Sequence, residues 1–569
     1  MALSNSEISD IFNQMADMLE IKGANPFKVR AYRNAARTVQ NLGKSLEDLV
    51  EGGMDLTKLP GIGHDLAEAI VEIIRTGKFS KLEALKKELP EGLDQLLAIE
   101  GLGPKRIRQL YDTFHITSLE ELAKVAESGE IYNLKGFGPK LVEKILKGVQ
   151  LAKKAGRRFR FDVAKPFAEG LKAYLREFGV IKVEVAGSYR RRKETVGDLD
   201  ILVVAENWEE VTEWFVRYEK VKEVVSKGPT RSTVILRNDL QVDLRSVAKE
   251  SYGSALNYFT GSKAHNIRLR KMAVERGWKV NEYGIFEGEK RLGGEEEEDL
   301  YRLLGLCFIE PELREDRGEI EACLEGRLPK LITPQDIRGD LHMHSKWTDG
   351  HATIEEMAKA AKAKGYDYIA ITDHSKHLTV AKGLDEKRLR QQIEEIDRLN
   401  ERLEGITILK GIECDILEDG TMDLPDSVLK ELDLVIGAVH YKFNLSKKEQ
   451  TRRVVKAMQN PYVSILAHPT GRIIGHRNPY ELDMGEIFRA CKNEKVALEL
   501  NAQPERLDID DIYAKSAKEE GIEISIATDA HDIMSLDFME YGVNQARRGW
   551  LEKEDVLNTR SLKDLGAIL

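Results

Sequence analysis

The stretch "GSYRRRKETVGDLDILV", Gly187–Val203, sets two aspartates one residue apart, directly after a Gly-Ser turn and four consecutive basic residues. On a strand, side chains at i and i+2 share a face, so Asp198 and Asp200 stand side by side. Buried together without counter-charge, each carboxylate would raise the pKa of the other. A divalent cation removes that conflict. Mg²⁺ takes one or two carboxylates and completes its shell with water and substrate phosphates. Asp243, in "LQVDLRSV", is placed on a neighbouring strand to complete the set. Gly187, Ser188 and Arg190, Arg191 and Arg192 offer donors to a triphosphate. Such an arrangement describes two-metal phosphoryl transfer, one ion activating a 3′-hydroxyl and the other steadying the departing pyrophosphate. A surface strand with solvated aspartates is the competing reading, but the "ILVV" that follows marks a buried strand.

A chain of 569 residues is too long for one hydrophobic core, and about 100–200 residues per domain gives three to five units. The first residues are polar and amphipathic and do not read as a signal peptide. No apolar stretch approaches the ~18 residues of a spanning helix. Four scattered cysteines show neither metal nor disulfide spacing, which fits a reducing cytosol. The net charge of −10 is uneven: residues 1–335 balance 54 basic against 54 acidic side chains, whereas residues 101–200 hold 21 against 13. A basic segment in an acidic chain, including Arg157, Arg158 and Arg160, is a candidate phosphate-backbone contact.

Residues 1–150 read as helices, with Ile8, Ile11, Phe12, Met15 and Leu19 at helical spacing. Three turns in this region look alike: "LPGIG" (Leu59–Gly63), "IEGLG" (Ile99–Gly103) and "LKGFG" (Leu134–Gly138). A Gly-x-Gly turn tolerates positive φ and bares backbone N–H groups at a helix start, where a phosphate can sit. These turns resemble helix-hairpin-helix motifs, which hold DNA by its backbone. Gly61, Gly63, Gly101, Gly103, Gly136 and Gly138, with Lys105, Arg106, Arg108, Lys135 and Lys140 beside them, are the expected contacts. From Val183 onward, short β-branched runs predict strands. Residues 251–335 read as helix and loop, the acidic run Gly293–Asp299 as an exposed turn, and Glu325–Asp340 as an irregular linker.

Nine of the twelve histidines lie after residue 341. There, apolar strand-like runs alternate with helical ones, as in an α/β barrel, and most runs end in His, Asp or Glu. That end of the strands is where such barrels carry their active sites. His342 and His344 share a strand face, and mixed His and carboxylate ligands suit Zn²⁺, Mn²⁺ or Fe.

"GSYRRR…VGDLDIL", "VDLR" and "YFTGSKAHNIRLRKMA" resemble the nucleotidyltransferase core of the family X DNA polymerases, the family of DNA polymerase beta. The resemblance implies that Asp198, Asp200 and Asp243 are the catalytic, metal-binding carboxylates. It gives Gly187, Ser188 and Arg191 to the nucleotide phosphates, and Tyr258, Phe259, Thr260 and Gly261 to the incoming sugar. Asn266 would reach the nucleotide base and Arg270 the template side. Lys263 replaces an acidic residue of the beta enzyme and adds positive charge beside the nucleotide. The beta enzyme forms a Schiff base through a lysine on its first hairpin helix. Ala69 stands at that position, which puts a lyase in doubt; Lys28 is an alternative nucleophile or a 5′-phosphate contact. The C-terminal half resembles the polymerase and histidinol phosphatase (PHP) domain, a distorted β/α barrel with three metal ions. That family's nine ligands would be His342, His344, Asp349, His374, Glu413, His440, His468, Asp529 and His531. Asp373, His351, His377 and His476 fall outside the set.

The expected fold class is multidomain α/β. A helical DNA-binding domain with a helix-hairpin-helix occupies 1–85 and a fingers-like domain with two more occupies 86–155. A nucleotidyltransferase α+β palm (156–250), a thumb (251–320), a linker (321–335) and a (β/α)7-type PHP barrel (336–569) follow. The expected function is DNA-directed polymerisation for short-gap filling in repair, coupled to metal-dependent 3′→5′ exonuclease or 3′-end processing, extending to cleavage at abasic sites. Mg²⁺ would serve the polymerase site and Mn²⁺ or Zn²⁺ the barrel. Expected partners are dNTPs and gapped or nicked duplex DNA with a 3′-hydroxyl and a 5′-phosphate, bound by a cytoplasmic, nucleoid-associated monomer that touches no membrane. The rival readings are a DNA-end-binding nuclease whose polymerase core only binds, a non-catalytic end-binding scaffold, and a small-molecule phosphatase.

Overall fold

The computed structural model describes residues 5–566 except 41–45, 52, 60, 91–92, 97–98, 100–101, 140, 143–144, 147–148, 150–157 and 229. Gly101, Lys140 and Arg157 fall outside the described residues. The chain forms two compact units, Met1–Arg158 with Asn207–Leu304, and Phe159–Glu206 with Gly305–Leu569.

The first unit opens with helices because its apolar residues recur at helical spacing. Ile8, Phe12, Met15 and Leu19 on helix Asn5–Lys22 are buried. The Phe12 ring meets Tyr32 at 5.7 Å and Phe79 at 6.2 Å. Pro104 starts helix Pro104–Phe114 directly after Gly103, where a missing N–H costs nothing. Strands Val221–Lys227, Arg231–Leu236 and Gln241–Ser246 form an antiparallel meander. Helices Tyr252–Thr260 and Lys263–Glu275 follow.

Two expectations for residues 251–335 need correction. A three-stranded antiparallel sheet, Trp278–Asn281, Gly284–Glu287 and Lys290–Gly293, stands where helix and loop were expected. Asn281 makes its first turn by accepting the backbone N–H groups of Tyr283 and Gly284, a local device the periodicity does not announce. The acidic run turns with Glu295, Glu296 and Glu298 exposed, as expected, but not throughout. Asp299 is buried and accepts backbone N–H bonds from Gly294 and Glu296, and Glu297 is buried as well.

The second unit carries the opening stretch. Strand Lys182–Val185 pairs antiparallel with Asp198–Val204, Val185 opposite Ile201. The rest is a barrel of seven parallel strands in chain order: β1 Gly339–Asp340, β2 Tyr368–Ile371, β3 Thr407–Asp415, β4 Leu434–Ala438, β5 Ile465–Leu466, β6 Ala497–Asn501 and β7 Ile524–Ala527. A bridge between Met343 and Ala530 brings the ends of β1 and β7 together. Thr353, Asp385, Ser446, Asp483 and Asp510 cap the following helices through their side chains, which fixes where each helix leaves its strand. Cys307 and Cys323 are joined as a disulfide, Cα atoms 5.9 Å apart, so the spacing of cysteines along the chain misled. Among the described residues no helix is long and apolar enough to cross a membrane.

Candidate metal centre and nucleotide-binding residues

The C-terminal ends of the barrel strands gather the histidines and carboxylates into one cluster. Three groups have ligand atoms within 4.8 Å of one another: His344, Asp349, His374 and His531; His342, His344 and Asp529; His374, Glu413 and His440. His344 and His374 each belong to two groups. His468 joins through its Nε2, 2.9 Å from Glu413 Oε1. All nine expected ligands therefore lie in one continuous cluster, six of them buried and Asp349, His440 and His531 half-buried.

The imidazoles are held from outside. His342 Nδ1 lies 2.6 Å from Glu499 Oε1, and His440 Nδ1 lies 2.9 Å from Asp415 Oδ1. His531 Nδ1 lies 2.8 Å from the Asp529 carbonyl. Each outer partner accepts, so each Nδ1 carries a proton and each Nε2 faces inward, where it can donate a lone pair once a cation takes the place of its own proton. Glu499, Asp415 and Asn501 escaped the sequence reading. Asn501 donates to both Glu499 and Asp529 at 3.1 Å. The signal was present in "ALELN", where Glu499 and Asn501 interrupt an apolar strand at i and i+2, as His342 and His344 do.

The donor set fits cations. His344 Nδ1, His468 Nδ1 and Asp349 Oδ1 are buried atoms with no hydrogen-bond partner, a costly condition unless they face a positive ion, and His374 Nδ1 meets Glu413 Oε2 at 2.8 Å. His342 Nε2 and His344 Nε2 oppose each other at 3.3 Å. The electrostatics agree. Burial pushes His344 down to about 3, and the neighbouring His531 and His374 add to that. Burial also opposes charge on His374, yet Glu413 and Asp349 lift it to about 10. Glu413, with Asp415, likewise lifts His440 to about 9 against burial. Burial works against ionised Glu413 and Asp529, but the surrounding imidazoles hold both well below the usual carboxylate range. Without ions, the cluster therefore keeps its carboxylates ionised by protonating imidazoles.

Local geometry explains several residues around the cluster. Gly350 follows Asp349 because a Cβ there would meet the His344 carbonyl carbon and oxygen at 2.7 Å. His468 and Asp529 hold positive φ, 27° and 51°, uncommon for residues with a side chain and tolerated where the surroundings dictate the conformation. Asp373 anchors the loop after His344 by accepting from the Ser345 N–H at 2.8 Å, the Ser345 hydroxyl at 2.5 Å and the Thr348 hydroxyl. His351, His377 and His476 are exposed.

The expected nucleotide and polymerase-metal residues divide between the units. In the second, Asp198 is exposed and Asp200 half-buried on a strand whose Leu199 and Ile201 are buried. Gly187 has a φ of 65°, and a Cβ there would meet Asp200 Oδ2 at 3.4 Å, so the Gly-Ser turn lies directly against that aspartate. Ser188 is half-buried, and Arg191 Nε donates to Glu315 Oε1 at 3.0 Å. In the first unit, Asp243 is buried and accepts from the Thr233 hydroxyl at 2.5 Å and from Arg231 Nη2 at 2.7 Å. Asn266 Nδ2 donates to the Tyr258 carbonyl at 2.7 Å. Arg245 covers the Phe259 ring at 4.3 Å. Tyr258 and Lys263 are exposed, Arg270 is half-buried, and Thr260 and Gly261 close their helix. Of the hairpin residues, Gly61, Gly63, Gly103, Gly136, Gly138, Lys105 and Lys135 are exposed. Arg108 instead donates to the Ile21 carbonyl at 3.0 Å and to Asp112 at 2.6 Å. Ala69 is buried in the helical core.

Known proteins match along the whole chain. Residues 3–79 match the helix-hairpin-helix domain, 93–150 the SAM-like helix-hairpin-helix tandem, 168–267 the DNA polymerase beta palm, 255–315 the DNA polymerase beta thumb and 340–503 the PHP domain. Hairpin helices, a beta-type palm and thumb, and a metal-gathering barrel define a chain of fused nucleotidyltransferase and PHP modules. The chain belongs to the family X DNA polymerases that carry a C-terminal PHP domain. It is 43% identical over 575 residues to the DNA polymerase/3′-5′ exonuclease PolX of Bacillus subtilis (strain 168), across 100% of this chain and 99% of that one. A probable phosphatase of Thermoanaerobacter sp. (strain X514) is 32% identical over 241 residues, 40% of this chain and 91% of that one. The crystal structure of Leishmania infantum polymerase beta in a ternary complex covers 40% of this chain and 98% of that one, at 21% identity and a TM-score of 0.35, too loose a likeness to place any residue.

Proposed function

We propose that the chain is a DNA-directed DNA polymerase joined to a divalent-metal-dependent 3′→5′ exonuclease in the barrel. The end-to-end likeness to the Bacillus subtilis enzyme carries this reading, and the nine-residue cluster supports its second half. Asp198, Asp200 and Asp243 would hold Mg²⁺ in the polymerase site, and the nine barrel residues three ions, Mn²⁺ or Zn²⁺. Bound there, such ions neutralise phosphate charge and act as Lewis acids toward the phosphodiester. The chain's own residues supply the rest. Ser188 and Arg191 bind the triphosphate, Lys263 adds charge beside it, and Tyr258–Gly261 stand against the sugar so that a ribose 2′-hydroxyl is rejected by bulk. Asn266 and Arg270 orient base and template. In the barrel, Glu499 and Asp415 hold His342 and His440 with Nε2 turned inward, and the half-buried Asp349 and His531 leave the cluster open to the water that hydrolysis consumes. Exposed Gly-x-Gly turns with Lys105 and Lys135 grip DNA through its phosphates, so binding is insensitive to sequence. The substrate is a gapped or nicked duplex with a 3′-hydroxyl and a 5′-phosphate, filled in the cytoplasm during repair, with trimming of the 3′ end by the barrel.

One observation favours the rival in which the polymerase core only binds DNA. Each oxygen of Asp243 already accepts a hydrogen bond, one of them from Arg231, and a cation there competes with that guanidinium. A single experiment separates the readings. A gapped duplex is incubated with Mg²⁺ or Mn²⁺, with and without dNTPs, using wild type, Asp200→Ala and His344→Ala. Asp200→Ala should abolish incorporation and keep 3′-end degradation, and His344→Ala should do the reverse. No incorporation by wild type, with 3′-end degradation intact, would leave the rival standing.

A further inference from the structure

The barrel reaches the phosphate-loop segment with side chains of its own. Arg548 ends helix Met539–Arg548, and its side chain is only 2% exposed. Its Nη1 donates to the Arg191 carbonyl at 2.7 Å and to Glu315 Oε1 at 3.1 Å, and its Nη2 to Asp511 Oδ2 at 2.6 Å. Glu315 in turn accepts from Arg191 Nε at 3.0 Å. One guanidinium thus fixes both the backbone and, through one carboxylate, the side chain of Arg191. Arg317 donates to the same Asp511 at 3.0 Å.

The same helix holds the loop at a second point. Tyr541 lies seven residues before Arg548, on the same helix face. Its ring meets Phe161 edge-on at 6.2 Å, and Phe161 stacks on Tyr189 at 4.9 Å. Tyr189 and Arg191 lie within the Gly187–Arg192 turn, whose Gly187 lies against Asp200. Two further pairs tie the surrounding segment to the barrel, Arg472–Glu194 at 2.6 Å and Lys165–Glu540 at 2.5 Å. A barrel that only shared a chain with the polymerase would have no need of a buried arginine spent on a carbonyl of this turn.

We infer that Arg548 is a positioning residue of nucleotidyl transfer: with Glu315 it presents Arg191 and the Gly187–Arg191 turn to the incoming triphosphate, so that the exonuclease barrel is part of the polymerase's nucleotide site. The inference rests on reading that turn as the triphosphate contact. Truncating Arg548 leaves neither carboxylate alone, since Glu315 keeps Arg191 and Asp511 keeps Arg317. The loss is therefore expected to fall on positioning of the turn.

Arg191→Ala, Arg548→Ala and Glu315→Gln are compared with wild type in the full chain. Incorporation into a one-nucleotide gap gives KM for dNTP and kcat. Degradation of a labelled single-stranded oligonucleotide by the same preparations reports the barrel. Arg548→Ala should raise KM for dNTP ~10-fold, the scale of one lost charge-assisted contact, with kcat changed less and degradation within about twofold of wild type. Arg191→Ala should raise KM at least as much. A raised KM in Arg191→Ala with an unchanged KM in Arg548→Ala overturns the positioning role alone. An unchanged KM in Arg191→Ala overturns the phosphate-contact reading beneath it. If Arg548→Ala loses both activities together, Glu315→Gln, which preserves volume, decides. A higher KM with intact degradation upholds the inference, and a wild-type KM rejects it.

Discussion

A side chain at Gly350 would collide with the backbone of His344 and Ser345, and the close approach this glycine allows lies directly after Asp349, a proposed ligand. Gly350→Ala should lower exonuclease turnover by ~10-fold or more while gap filling continues, since a displacement well under 1 Å at a ligand cluster is enough. Equal loss of both activities would mean that the glycine serves the fold alone. Glu499 acts one layer out, on His342 Nδ1. Glu499→Gln should weaken Mn²⁺ binding about 10–100-fold, read by equilibrium dialysis as well as by activation of degradation. Unchanged dialysis curves would reject the orienting role.

At the scale of elements, the hairpins and the barrel use the same rule, function placed at the end of a regular segment. Gly63 and Gly103 cap His64–Thr76 and Pro104–Phe114 without a side-chain cap bond, which under the proposed reading leaves room for a phosphate at each helix start. Lys105→Glu and Lys135→Glu should each weaken duplex binding to a similar degree on unrelated sequences. Each should also reduce the slope of log K against log salt by about one. A sequence-selective loss, measured by anisotropy titrations on several duplexes, would contradict backbone gripping. Among the neighbouring cations, Arg108 is committed inside the unit to the Ile21 carbonyl and Asp112.

Across the whole molecule, the second unit joins the opening strand pair to the barrel through buried ion pairs. Burial alone would raise the Glu315 and Asp511 carboxyls, but Arg191 and Arg548 hold Glu315, and Arg548 and Arg317 hold Asp511, below the usual range. Depressed carboxylates contribute stability that is fully present above their unfolded pKa and lost as pH falls through the folded one. The margin in melting temperature of wild type over Glu315→Gln should therefore be constant near neutrality and shrink below about pH 4. A margin independent of pH would show that the pair stabilises by packing alone.

Much of this was legible along the chain, because periodicity and ligand spacing are local. The i, i+2 pairs Asp198/Asp200 and His342/His344, and His, Asp or Glu at successive strand ends, announce a nucleotidyltransferase strand and a metal-gathering barrel. Helical spacing announces the buried Ile8, Phe12 and Met15. The second layer was hidden. Glu499 and Asp415 gain their meaning only from the imidazoles that parallel strand register brings beside them. The sheet at 278–293 and the buried Asp299 arise from side-chain caps, which composition does not display. Neither did anything in the sequence connect Arg548 with Arg191, 357 residues apart. The residues fixed which chemistry the chain can hold, since ligand type and spacing are properties of short segments. Which charges face each other was decided only by folding, because a carboxylate's neighbours inside a protein come from strand register and helix packing, not from chain order.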